Sequence, residues 1–129
     1  MTSKKFEDGL KVRKEVLGEK YVDAALKNVD DFNQPMQELV TEYCWGSIWT
    51  RQGLPRKTRS LLNLAMLTAL NRPHEVRAHV LGAINNGVTR DEIMETLLQA
   101  AVYCGVPAGI DSFRTAKAVF AELDEQEKT

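Results

Sequence analysis

Glu75 and His79 stand four residues apart in the segment from Pro73 to Gly87, and four residues is one turn of a helix. A carboxylate one turn from an imidazole can hold the ring and favour its protonated form, which gives a usable general acid or base. A plainer reading fits the same residues. An acid in a first helical turn is favoured by the helix dipole. A histidine bordering the apolar stripe Val76, Val80, Ala83 and Ile84 can be a half-buried side chain with one hydrogen bond. His74 is five residues from His79, a poor separation for chelation on a helix, so no metal site is expected. Cys44 and Cys104 have no paired spacing and read as small buried hydrophobes, with no disulfide framework.

Charge is unevenly placed around the pair. Between Arg51 and Arg90 lie seven basic residues, namely Arg51, Arg56, Lys57, Arg59, Arg72, Arg77 and Arg90, and the one acid there is Glu75. That window carries +6 in a chain whose formal net charge is −1. A basic middle suits a small anionic ligand. It would equally suit arginines paired with the acidic outer helices or with a second subunit. A nucleic-acid partner is not expected, because the pI is about 6.1 and the cations are not interleaved with aromatics.

The elements that must position these residues read as helices throughout, since no segment alternates apolar and polar residues over strand length. Lys4 to Leu17 forms a first helix closed by Gly18. Tyr21 to Asp31 forms a second, with Val22, Ala25, Leu26 and Val29 on one face. Pro35 opens a third, which frays near Gly46 and leaves Trp45, Ile48 and Trp49 to tertiary contacts. Pro55 starts a fourth, whose body from Leu61 to Leu70 is apolar on nearly every side and is therefore expected to be buried. One small chain cannot easily wrap such a helix, so oligomerisation is expected to complete it. Pro73 to Gly87 is the fifth. Thr89 and Glu92 have capping-box spacing and open a sixth that ends at Cys104-Gly105. The last runs from about Ala108, with Ile110, Phe113, Ala116, Val119, Phe120 and Leu123 inward, and a loose charged tail from Asp124.

The 129 residues fit a single domain, 1–129, with 43% hydrophobic and 27% charged residues, an ordinary globular balance. The first residues lack the apolar run of a signal peptide, and no stretch is long enough to span a bilayer. A cytoplasmic protein with no membrane partner is expected.

Four blocks carry a resemblance: Glu42-Tyr43-Cys44-Trp45-Gly46-Ser47-Ile48-Trp49; Arg56-Lys57-Thr58-Arg59-Ser60-Leu61 with Leu64-Ala65; the run from His74 to Ile93; and Tyr103-Cys104-Gly105-Val106-Pro107-Ala108. In order and spacing they resemble the carboxymuconolactone decarboxylase family. The resemblance implies an all-α, alkylhydroperoxidase-like fold that assembles as a ring-like homo-oligomer, a trimer or hexamer. In the redox branch of that family a Cys-x-x-Cys pair precedes a histidine by four residues. His79 falls on that histidine, the cysteine positions fall on Arg72 and Glu75, and a proton-relay glutamate would fall near Ser60. Peroxidase activity is therefore disfavoured, and the sequence resembles the decarboxylase branch. That branch implies cofactor-free loss of CO2 from 4-carboxymuconolactone. The expected roles are His79 as proton donor with Glu75 orienting it, and Arg59, Arg51, Arg72, Glu42 and Trp49 as substrate-binding residues. Three other readings stay open: activity on another unsaturated lactone or keto acid, redox chemistry at Cys44 or Cys104, and an assembly protein without chemistry.

Overall fold

The computed structural model describes residues 3–128, and every regular element among them is helical. The chain divides into two compact units, Met1–Arg56 and Lys57–Thr129.

In the first unit, α1 (Lys4–Leu17) starts where the Ser3 hydroxyl accepts a hydrogen bond from the Phe6 amide at 3.1 Å. It is followed by α2 (Glu19–Lys27) and α3 (Gln34–Leu39). The second helix stops four residues short of the expected end. The Asp30 carboxylate accepts from the Phe32 and Asn33 amides, and the Asn33 side chain accepts from the Asp30 amide at 2.8 Å. These local bonds give the backbone an alternative to another helical turn.

The third helix does not fray at Gly46. It continues as a ten-residue π-helix, Val40–Trp49, a form that is rare and usually confined to one turn. Ser47 Oγ supports the wide winding by donating to the Glu42 carbonyl, five residues back, at 3.1 Å. Gly46 is needed for a different reason: α1 crosses the π-helix there. A Cβ on Gly9 would lie 2.2 Å from the Thr41 carbonyl oxygen and 2.7 Å from the Gly46 nitrogen. One turn further along α1, the buried Arg13 donates through Nη1 to Gln37 Oε1 at 2.9 Å and to Thr41 Oγ1 at 3.3 Å, and so ties α1 to α3 and to the π-helix. Burial pulls its pKa down, the cost of a guanidinium held by neutral acceptors. Trp45 and Trp49 are both buried and stack with ring centroids 4.8 Å apart.

The second unit holds α4 (Arg56–Ala69, but for its first residue), α5 (Pro73–Asn85), α6 (Arg90–Cys104) and α7 (Val106–Glu127). Its core is Leu64 from α4, Val76, Val80 and Ala83 from α5, Val88, Ile93 and Leu97 around α6, and Ala116 and Val119 from α7. Burying each large aliphatic side chain is worth about 1.5–3 kcal/mol, which is what draws the four amphipathic faces together. Asn71 ends α4 in a left-handed conformation (φ 58°), with the Arg72 amide donating to the Leu67 carbonyl. Thr89 and Glu92 form the expected capping box. The tail from Asp124 is not loose: α7 continues to Glu127, and Arg90 Nη2 meets the Asp124 carboxylate at 2.6 Å while lying over the Phe120 ring.

The fourth helix is not buried on all sides. Leu64 is fully buried, yet Leu62, Met66 and Leu70 are 46%, 52% and 60% exposed, at four-residue spacing down one face. The sixth helix repeats the pattern with Met94, Leu98 and Val102, and Ile110, expected inward, is half exposed on α7. In one chain these helices have a single core-facing side, and the apolar residues beyond it face outward.

Candidate active site

His79 lies on α5 one position short of the fully buried Val80, and its ring is mostly buried. The Asn63 amide nitrogen on α4 approaches Nδ1 of His79 at 3.5 Å, placed to donate to it. Seven residues on from His79, on the same side of α5, Asn86 donates through Nδ2 to Ser60 Oγ at 2.9 Å. Two side-chain amides thus link α4 and α5 in parallel. Ser60 is completely buried and accepts this bond.

Burial pushes the His79 pKa from 6.5 down to about 4. The expected effect of Glu75 is not seen. Its side chain is exposed in the first turn of α5, where water screens it, and the desolvation of the imidazole decides the direction. At neutral pH the ring is uncharged.

This has a consequence for stability. Between about pH 6.5 and 4 the unfolded chain binds a proton at this histidine and the folded chain does not. Stability therefore falls as pH drops through that window, by up to about 3 kcal/mol, and gains nothing from this residue above it. Urea unfolding at pH 7 and at pH 4 should show His79→Gln losing less stability than the parent by about that amount. Equal losses would refute the buried neutral ring.

Four of the seven basic residues of the central window are engaged by acids within their own unit. Arg56 meets Glu15 at 3.1 Å in the first. In the second, Lys57 meets Glu92 at 3.0 Å, Arg77 pairs with Glu122, and Arg90 with Asp124. The alternative reading, pairing with the outer helices, holds for these. Exposed pairs of this kind add little stability. Arg59 sits one turn before Asn63 on the same face of α4 and is half-buried. Arg72 is exposed, and its Nη1 turns back on the Leu70 and Asn71 carbonyls at 2.8 and 3.4 Å, holding the end of α4.

The first unit brings Arg51 and Trp49 together. With Val12, Thr50, Gln52, Leu54, Pro55 and Arg56 they line a cavity of about 340 Å³. Glu42 is placed elsewhere in that unit. Its carboxylate accepts from Ser3 Oγ at 2.6 Å and shares a cavity of about 300 Å³ with Glu38, surroundings that repel a carboxylate ligand. Both cysteines are exposed and free, not buried as expected. Desolvation raises the Cys44 thiol against the pull of Arg13, so it is not an activated thiolate. Among the described residues, no group of three or more His, Cys, Asp or Glu is gathered to hold a metal ion, and no helix is long and apolar enough to cross a membrane.

Neither Asn63 nor Asn86 is marked as functional by spacing or charge. A signal for the first existed: a lone amide within the apolar run Leu61-Leu62-Asn63-Leu64-Ala65 is a polar group that needs a partner.

Among the described residues every regular element is helical, and a mostly buried, uncharged histidine sits on α5 against the α4 amide of Asn63. The chain belongs to the carboxymuconolactone decarboxylase family, whose profile matches residues 34–118. It is similar to the 4-carboxymuconolactone decarboxylase of Acinetobacter baylyi, 46% identical over 119 residues, covering 92% of this chain and 89% of the relative. It is similar also to the nitrosuccinic acid decarboxylase of Metarhizium robertsii, 49% identical over 123 residues, covering 95% and 86%. A shorter match, 38% over 42 residues, covers 33% of this chain and 88% of a 4-carboxymuconolactone decarboxylase from Pseudomonas putida.

Proposed function

We propose that this chain is a carboxy-lyase that removes CO2 from 4-carboxymuconolactone to give 3-oxoadipate enol-lactone, a step in the breakdown of protocatechuate. The observation that carries this reading is the 46% identity to a decarboxylase of that name over nearly the whole chain. The chemistry asks for little from the protein. The bond between ring carbon and carboxylate breaks, and its electron pair flows into the unsaturated lactone as a dienolate. CO2 leaves, and a proton returns to the ring. The protein must stabilise charge on the lactone oxygen and hold the spectator carboxylate. His79 and Glu75 are the candidate catalytic residues, with His79 at the reacting group. Arg59 is the candidate carboxylate clamp in the second unit, and Arg51 with Trp49 offers the same chemistry in the first. Arg72 and Glu42 are weaker candidates, since both already serve local contacts.

A second reading is favoured by the 49% identity to a nitrosuccinic acid decarboxylase. Nitrosuccinate also carries two carboxylates, and losing the one beside the nitro group leaves a nitronate, an oxygen-centred anion like the dienolate. One experiment separates the two: purified protein is given freshly generated 4-carboxymuconolactone or nitrosuccinate, and CO2 release is followed. Turnover of the lactone at the higher kcat/KM supports the first reading. Turnover of nitrosuccinate alone replaces it with the second, and turnover of neither removes both.

The protein is further proposed to work in the cytoplasm as a homo-oligomer. The outward apolar rows on α4 and α6 support the oligomer, being surfaces that a second copy would cover. A monomeric sedimentation coefficient at micromolar concentration would contradict it.

A further inference from the structure

We propose that Asn63 is a positioning residue: by donating to Nδ1 it fixes His79 as the Nε2–H tautomer, so that the ring acts as an uncharged hydrogen-bond donor to the oxygen that gains charge as CO2 leaves. The inference rests on the decarboxylase reading for its chemistry, but its geometry is independent of it.

The Asn63 nitrogen carries only hydrogens, so at 3.5 Å from Nδ1 it can meet that atom favourably only if Nδ1 presents a lone pair. In a neutral imidazole the proton is then on Nε2, at the far side of the ring. An imidazolium would set an N–H against an NH2 group. The partner is held in place: Asn63 is half-buried on α4, next to the fully buried Leu64. The Asn86–Ser60 bond at 2.9 Å fixes the register of α4 on α5 a short distance along. Burial of the ring acts in the same direction, since it disfavours the cation.

The consequence is a changed role for His79. A neutral Nε2–H is too weak an acid to give its proton away, but a strong enough donor to stabilise an enolate-like oxygen without being consumed. In a desolvated site such a donor acts with little reorganisation. The electron pair released from the carboxylate carbon is held on the lactone oxygen against Nε2–H. The ring carbon then takes its proton from a water molecule, which leaves hydroxide to be neutralised by solvent, and His79 ends in the state in which it began.

The test reads the tautomer directly. In 15N-labelled protein at pH 7, long-range 1H–15N correlations should show His79 with a pyrrole-type Nε2 and a pyridine-type Nδ1. An imidazolium, or a proton on Nδ1, would overturn the proposal using the parent protein alone. Asn63→Asp presents only acceptors, so it should move the proton to Nδ1, lowering kcat roughly 10–100-fold with KM little changed. Asn63→Leu should leave a mixture of tautomers and an intermediate kcat. Circular dichroism establishes that each variant is folded, and a folded Asn63→Asp variant with the parental tautomer and kcat would also overturn the proposal. Because the tautomer is read without substrate, a wrong substrate assignment and a wrong role for Asn63 give different results.

Discussion

Replacing His79 with alanine is expected to lower kcat on 4-carboxymuconolactone by roughly 10²–10³-fold, the usual loss when one donor to a developing oxyanion is removed. KM should change little, because the charge that the donor meets is formed only in the transition state. The pH profile of the parent enzyme says which role is lost. Were His79 a cationic general acid with a pKa of about 4, kcat/KM would fall tenfold per pH unit above that value, and activity at pH 7 would be a small remnant. A neutral donor gives the opposite sign: a plateau through neutral pH and a decline on the acid side as the ring protonates. Near-parental turnover by a folded His79→Ala variant would remove the residue from the chemistry altogether.

Gly9→Ala should be among the most destabilising single-methyl additions in the chain. Alanine is the better helix former by about 1 kcal/mol, so on propensity alone α1 would gain. The crossing reverses the sign. The new Cβ would stand 2.2 Å from the Thr41 oxygen and 2.9 Å from the Gly46 Cα, all backbone, with no side chain able to swing aside. Overpacking of this kind costs about 1–3 kcal/mol, and contacts this short with backbone put it at the upper end, so a net loss of up to about 2 kcal/mol is expected, read as a lower urea midpoint with the slope unchanged. Gly53→Ala is the control, since nothing lies within 4 Å of its added carbon. If both variants melt alike, the crossing is looser than described.

Much of this protein was legible in its sequence because local signals agreed with one another. Proline starts, glycine ends and the Thr89–Glu92 box placed α1, α5 and α6 nearly to the residue. The misplacements have physical causes. The end of α2 was lost to side-chain bonds around Asp30, which no periodicity reports. Gly46 is a helix breaker by propensity and so suggests fraying where the π-helix runs, and only the close passage of Gly9 shows why a glycine must be there. Charge alone marks the tail of α7 as loose, yet that charge is what Arg90 engages. At the site, sequence spacing points to Glu75 and His79 but does not give the net direction in which the histidine is shifted. Spacing puts two residues on one side of a helix without saying how dry the histidine will be, and the dryness decided its charge. The basic window is visible as a sum, whereas its pairing, four cations matched with acids, is set by the fold.

The ten-residue π-helix also sets how this chain can tolerate changes in length. A stretch wound with i to i+5 bonds holds more residues per turn than an α-helix, so it stores slack that an α-helix of the same span would not contain. Loss of a single residue between Thr41 and Ser47 would give the strand of backbone an easy way to rewind as ordinary α-helix. The residues beyond the deletion would then keep their places, with Trp49 still stacked on Trp45 and Arg51 still lining its cavity. In an ordinary α-helix the same loss would turn everything beyond it by about 100°.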